Sequence, residues 1–123
     1  MPLLYLLDEN LRGGGLWQAI QQHNLLGLYP IDAVRVGDPP DLPGGSPDTA
    51  LLLWAERQGR IVVTRDWHTL PGHLAQHLQA GNHSPGVFLI RKHCTIPQIL
   101  SYLVLAAYAA DPAACQDRIE PIP

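Results

Sequence analysis

Three aspartates stand where an alternating strand–helix chain turns over. Asp8 ends an apolar run at residues 3–7, Asp66 follows a second run at 61–64, and Asp48 opens a helical stretch. Each has a plain structural reading: a strand-end aspartate caps a nearby amide, and Asp48 answers its helix dipole, worth roughly 0.3–1 kcal/mol. Three on one edge say more. Converging carboxylates repel, which raises at least one pKa unless a cation lies among them. A hard divalent ion such as Mg2+ or Mn2+ takes oxygen ligands and keeps several waters. Such an ion polarises a phosphoryl oxygen and acidifies its water, which phosphodiester hydrolysis requires. Asn10, two residues beyond Asp8, stands beside the expected site.

Arg35, Arg65, Arg91 and Lys92 fall at or just past expected strand ends, and Arg12 falls in the first loop. A rim of cations around an acidic site is what a phosphate backbone requires; the plainer reading is solvated strand-end charge. His73 and His77 are four apart on a helix, with His68 upstream. Zinc ligands occur at that spacing, but no HExxH motif or thiolate accompanies them, so a solvated helical face is expected. Neither Cys94 nor any serine sits in a GxSxG elbow, which leaves nucleophilic catalysis without support.

The elements that position these residues follow from periodicity and punctuation. Residues 3–7 read as a strand buried on both faces. After Gly13-Gly14-Gly15, the spacing of Leu16, Trp17 and Ile20 marks a short helix, and residues 31–36 a weaker strand. Residues 37–47 hold four prolines and three glycines and must be a loop. Ser46 as N-cap and Pro47 at the first helical position start a helix that closes at Gly59. A strand at 61–64, a helix opened by Pro71 and closed by Gly81, a strand at 86–90 and a helix at 96–110 follow. Residues 111–123 hold three prolines and read as an extended tail.

The order β-α-β-α-β-α-β-α implies an α/β fold with right-handed crossovers and a short, mostly parallel sheet of about four strands. In such sheets ligands bind outside the carboxyl ends of the strands, where strand order reverses. At 123 residues the chain has room for one domain. Its net charge of −3 argues against general phosphate binding, so a nucleic-acid role needs a local cationic cluster or a metal. Two cysteines are too few for a disulfide scaffold. The opening MPLLYLL lacks a basic flank and does not read as a signal peptide, and the apolar stretch at 96–110 is too short to span a bilayer. A soluble cytoplasmic protein without a membrane association is the expectation.

Several segments together resemble a known family. LLDEN at the first strand end, SPDTALLLWAERQGRIVVTRD across the second helix and third strand, and PGVFLIR in the fourth strand resemble the short PIN-like proteins formerly catalogued as a domain of unknown function. Those proteins are similar to toxin components of bacterial toxin–antitoxin pairs and related to the VapC ribonucleases. The resemblance runs from about residue 3 to 110. It implies a PIN-like (Rossmann-like) three-layer sandwich over residues 1–110 and a Mg2+- or Mn2+-dependent endoribonuclease. RNA would be the substrate and a cognate antitoxin the partner, with a homodimer also admissible. The family's acidic positions fall on Asp8, Asp48 and Asp66 as catalytic metal ligands, with Asn10 in support and Arg65 or Arg91 steadying the RNA backbone. The family's second acid after the TRD strand end is here His68, a further candidate metal ligand.

Two other readings belong to different classes. A catalytically silent PIN-like binding module is favoured by His68 and by the small number of basic residues. A phosphoacceptor domain of the response-regulator kind would use Asp8-Glu9 for magnesium, Asp66 as acceptor and Lys92 as the partner lysine. Four strands are one unit short for it.

Overall fold

Short apolar runs with polar ends become strands, and glycines just past their ends close the first three helices. The computed structural model describes residues 2–123. In chain order the elements are β1 (Leu4–Leu7), α1 (Leu16–Leu25), β2 (Asp32–Arg35), α2 (Asp48–Gln58), β3 (Arg60–Thr64), α3 (Leu70–Gln79), β4 (Val87–Ile90), α4 (Ile96–Ala109), α5 (Pro112–Cys115) and β5 (Ile119–Ile122). A single turn of 3-10 helix, Glu9–Leu11, follows β1, with the Asp8 carboxylate accepting from the Glu9 amide at its start. Gly59 ends α2 in the left-handed conformation, and a Thr95/Gln98 capping box starts α4.

The sheet is entirely parallel, with strand order β2-β1-β3-β4-β5. This five-stranded result corrects the expectation of about four strands. Residues 111–123, expected as an extended tail, form α5 and the edge strand β5, whose Ile119 lies opposite Val87 and Ile122 opposite Ile90. Pro121 within that strand is compatible with an edge position only. Ser46 is not the N-cap of α2. Pro47 occupies that place, while the Ser46 hydroxyl donates back to the Pro43 carbonyl at 2.6 Å.

Alternation along the strands sends side chains to two cores. Tyr5, Leu7, Ile61, Val63, Phe88 and Ile90 face one layer with Ile20 of α1 and Ile99 and Leu103 of α4. Leu6, Val62 and Val87 face the other, against Leu51, Leu52 and Trp54 of α2 and Leu74 of α3. The result is a three-layer α/β sandwich around an all-parallel sheet, compatible with a Rossmann-like arrangement. Tyr5 is fully buried, and its hydroxyl is satisfied by donation to the Leu103 carbonyl at 2.7 Å. Among the described residues no helix is long and apolar enough to cross a membrane.

For the site, the decisive contact is between β1 and β3. They pair in parallel with Leu7 opposite Val63, and the Asp8 amide extends the ladder by donating to the Val63 carbonyl at 2.9 Å. Strand order reverses beside β1, so the chain leaving β1 and the chain leaving β3 flank the crevice where such sheets hold ligands.

A candidate acidic site at the carboxyl edge of the sheet

Thr64, the last residue of β3, organises this edge. It is the one polar residue in the RIVVT strand interior to the protein, and it is fully buried. Its hydroxyl donates to Asp8 Oδ2 at 2.8 Å. Thr64 Oγ1 in turn accepts from Asn10 Nδ2 at 3.1 Å and from the Asp66 amide at 3.0 Å. Asn10 also reaches Asp8 Oδ2 at 3.4 Å and accepts from the Arg65 amide at 3.3 Å. The ends of β1 and β3 are thus tied by one buried hydroxyl and the Asn10 side chain.

Asp48 reaches the same edge from the first turn of α2, where its Oδ2 lies 2.8 Å from His73 Nδ1 of α3. Asp66 turns toward the start of α3. Its Oδ1 accepts from the amides of His68 and Thr69 at 3.0 and 2.9 Å, and its Oδ2 accepts from the Thr69 hydroxyl.

Electrostatics separates the acids. Burial pushes the Asp8 carboxyl above its ordinary range; the Thr64 hydroxyl and Glu9 amide pull it down, and the charges on Asp48 and Asp66 raise it again. Burial also raises Asp66, but the Thr69 hydroxyl and the amides of Thr69, His68 and Leu70 outweigh it and hold that carboxyl below its ordinary range. The three aspartates therefore share an edge, and Asp8 feels the charge of the other two. They do not form a closed cage with His68: among the described residues, no three His, Cys, Asp or Glu side chains are grouped to hold a common ion.

The cationic rim divides in two. Arg12 and Arg35 both pair with Asp38, at 3.2 and 2.9 Å, and the Arg35 guanidinium lies 4.4 Å over the Trp17 ring. Arg12 also donates to the Val36 carbonyl, and Glu9 accepts from the Gly45 amide, so the proline-rich loop is stapled to the first turn after β1. Arg65, Arg91 and Lys92 are different. They are exposed, line a cleft of about 430 Å³ with Trp67, His68 and Ile90, and have no carboxylate within 4 Å among the described residues.

The histidines depart from expectation. His73 pairs with Asp48, and His77 is buried, with Nε2 3.0 Å from Glu56 and 2.8 Å from the His83 carbonyl. A wholly solvated histidine face is therefore corrected. Sequence reasoning missed Thr64 and His73 as partners of the acids. A hydroxyl closing an otherwise apolar strand was the available signal for Thr64; nothing local announced His73, whose partner lies 25 residues away.

No family model, curated protein or solved structure matches the chain.

Proposed function

We propose that the chain is a divalent-metal-dependent endoribonuclease of the PIN-like kind, acting as the toxin of a toxin–antitoxin pair. One observation carries this reading: a half-buried carboxylate, Asp8, feels two further carboxylates from separate segments at the ligand-binding end of a parallel sheet. The donor chemistry suits Mg2+ or Mn2+. Magnesium is commonly held through one or two carboxylates, its own waters and substrate phosphates instead of an all-protein cage, which suits an open edge.

Asp8, Asp48 and Asp66 would address the ion, one or two of them directly and the others through its waters, with His68 more peripheral still. Bound there, it would supply Lewis acidity toward a phosphoryl oxygen and a more acidic water. The chain's own parts hold the geometry. Thr64 and Asn10 orient Asp8, His73 orients Asp48, and the amides of His68 and Thr69, just before α3, orient Asp66. Arg65 and Arg91 stand free to bear the phosphate backbone. Exposed Leu25, Leu26, Leu28 and Tyr29, beside Tyr108 of α4, offer an apolar surface for the antitoxin or a second copy.

The test is cleavage of several RNAs by purified, antitoxin-free protein in Mn2+, Mg2+ and EDTA, beside Asp66→Asn. Cleavage should need metal and disappear in the variant. Asparagine keeps one acceptor for the His68 and Thr69 amides, so circular dichroism should be unchanged; full activity in Asp66→Asn would remove Asp66 from the site. A folded protein that cuts nothing favours the silent binding module. That reading draws on the protein partners already engaging all three acids and on His68 in place of an acid.

The phosphoacceptor reading gains from the structure, because five parallel strands in the order 2-1-3-4-5 remove the objection from strand count. It loses on Lys92, which follows β4 while Pro123 follows β5. Incubation with acetyl phosphate should leave the intact mass unchanged; a phosphoryl adduct on Asp66 would reverse the order of preference.

A further inference from the structure

Trp67 is 45% exposed at the ligand end of the sheet, next in sequence to Asp66. Its position is nevertheless fixed. The indole Nε1–H donates to the Ile90 carbonyl at 2.7 Å, clamping the ring across the ends of β3 and β4. The bond uses the ring's edge and commits neither of its faces. Around it lie Arg65, Arg91 and Lys92, three of the chain's eight basic residues, none of them ion-paired among the described residues. Arg12 and Arg35, by contrast, share an ion pair with Asp38, and Arg60 pairs with Asp32. In a chain of net charge −3 this is a local concentration of free positive charge beside a rigid aromatic platform.

We infer that this cleft takes one unpaired base of a single-stranded RNA, stacked on Trp67, with the flanking phosphates carried by Arg65, Arg91 and Lys92. Aromatic faces accept any base, and cationic grooves track the backbone; together they select single strands without reading sequence. A paired base keeps its faces inside the stack, so a duplex cannot use the platform. The inference rests on the nuclease reading for its choice of RNA, and it adds what that reading lacks: selection for unpaired strand, and a residue that performs it.

The experiment measures binding of a fluorescein-labelled A10 oligoribonucleotide to the full chain in EDTA, where metal-dependent cleavage is silent. Its arms are dA10, a ten-base-pair RNA duplex, and the variants Trp67→Ala, Trp67→Phe and Lys92→Gln. A10 should quench indole fluorescence, and Trp67→Phe should abolish the quenching while keeping most of the affinity. Trp67→Ala should weaken binding at least about fivefold, as loss of a stacked base does, with the salt slope unchanged. The wild-type slope of log K against log salt should be about −2 for three contacts, and Lys92→Gln should flatten it by ~0.7.

The duplex should bind at least about fivefold more weakly than A10. Wild-type binding by a Trp67→Ala protein of unchanged Tm would overturn the platform, as would equal affinity for duplex and single strand. Tighter binding of dA10 than of A10 would overturn the assignment to RNA. Trp67-dependent binding of A10 by a protein that cleaves nothing in Mn2+ would reject the nuclease and leave the platform standing. Cleavage that survives Trp67→Ala with unchanged binding would do the opposite.

Discussion

Asp8→Asn is expected to lower metal-dependent RNA cleavage by about a thousandfold, the rate equivalent of the several kcal/mol that a bound divalent ion contributes to transition-state charge stabilisation. The same substitution should change stability with a distinctive dependence on pH. Burial, with the nearby charges of Asp48 and Asp66, places the Asp8 pKa above its ordinary value in the folded protein. The folded state therefore holds this proton more tightly than the unfolded state does. Wild-type stability from this group is greatest below the ordinary carboxylate pKa and is lost as pH rises through the raised folded value. Asparagine carries no such charge. The difference in Tm, variant minus wild type, should thus grow more positive as pH rises from about 4 through the raised folded value in metal-free buffer.

Added Mn2+ should then raise the wild-type Tm, because a ligand bound only by the folded state stabilises it by mass action. The variant should respond little. Thermal melts across pH, with and without Mn2+, check both statements. A variant that gains as much from Mn2+ as the wild type would show that the ion binds elsewhere. The site as described is one that stability alone would not retain, since an acid is kept part-buried beside two others.

Gly86→Ala should produce the largest loss of stability, about 3 kcal/mol, combining a disfavoured backbone region with a steric intrusion. Gly86 has φ +133°, and an added Cβ would stand 2.7 Å from the Cys115 carbonyl oxygen. Neither neighbour can yield cheaply. The Gly86 amide donates to Ser84 Oγ at 3.0 Å, and its carbonyl accepts from the Val62 amide at 3.1 Å. Across the junction, the Asp117 amide donates to the Ser84 carbonyl at 2.8 Å, and the Ser84 amide donates to Asp117 Oδ1 at 2.7 Å. The intrusion therefore forces α5 and the start of β5 away from β4. At a few degrees per kcal/mol, Tm should fall by roughly 10 °C. An unchanged urea midpoint would mean that residues 115–118 do not pack on Gly86.

The first four helices and the first four strands could be read from the chain because their signals are local. Gly59 and Gly81 stop helices, Pro71 opens one, and 61–64 and 86–90 are apolar runs between turn residues. β5 could not. Ile119-Glu120-Pro121-Ile122 has neither clean alternation nor strand composition, and its pairing comes entirely from β4, some thirty residues earlier. The acidic edge was similarly half visible. Carboxylates at strand ends are evident from position, whereas the bonds that turn them belong to tertiary neighbours: Thr64 acts on Asp8 across two strands, and His73 on Asp48 across two helices. His77 looked solvated because its helix is polar at that turn, yet Glu56 and the His83 carbonyl bury it.

Pro121 has a consequence for crowded solution. The Val87 amide donates to the Arg118 carbonyl and the Arg91 amide to the Ile122 carbonyl. By strand alternation residues 118, 120 and 122 address β4, while Ile119 and Pro121 face outward. The outer margin of the sheet therefore offers an incomplete hydrogen-bonding row, since proline brings no N–H to it. A strand from another copy laid along this margin would find one donor missing at mid-length. Fibrous growth from molecule to molecule is discouraged there by a single ring.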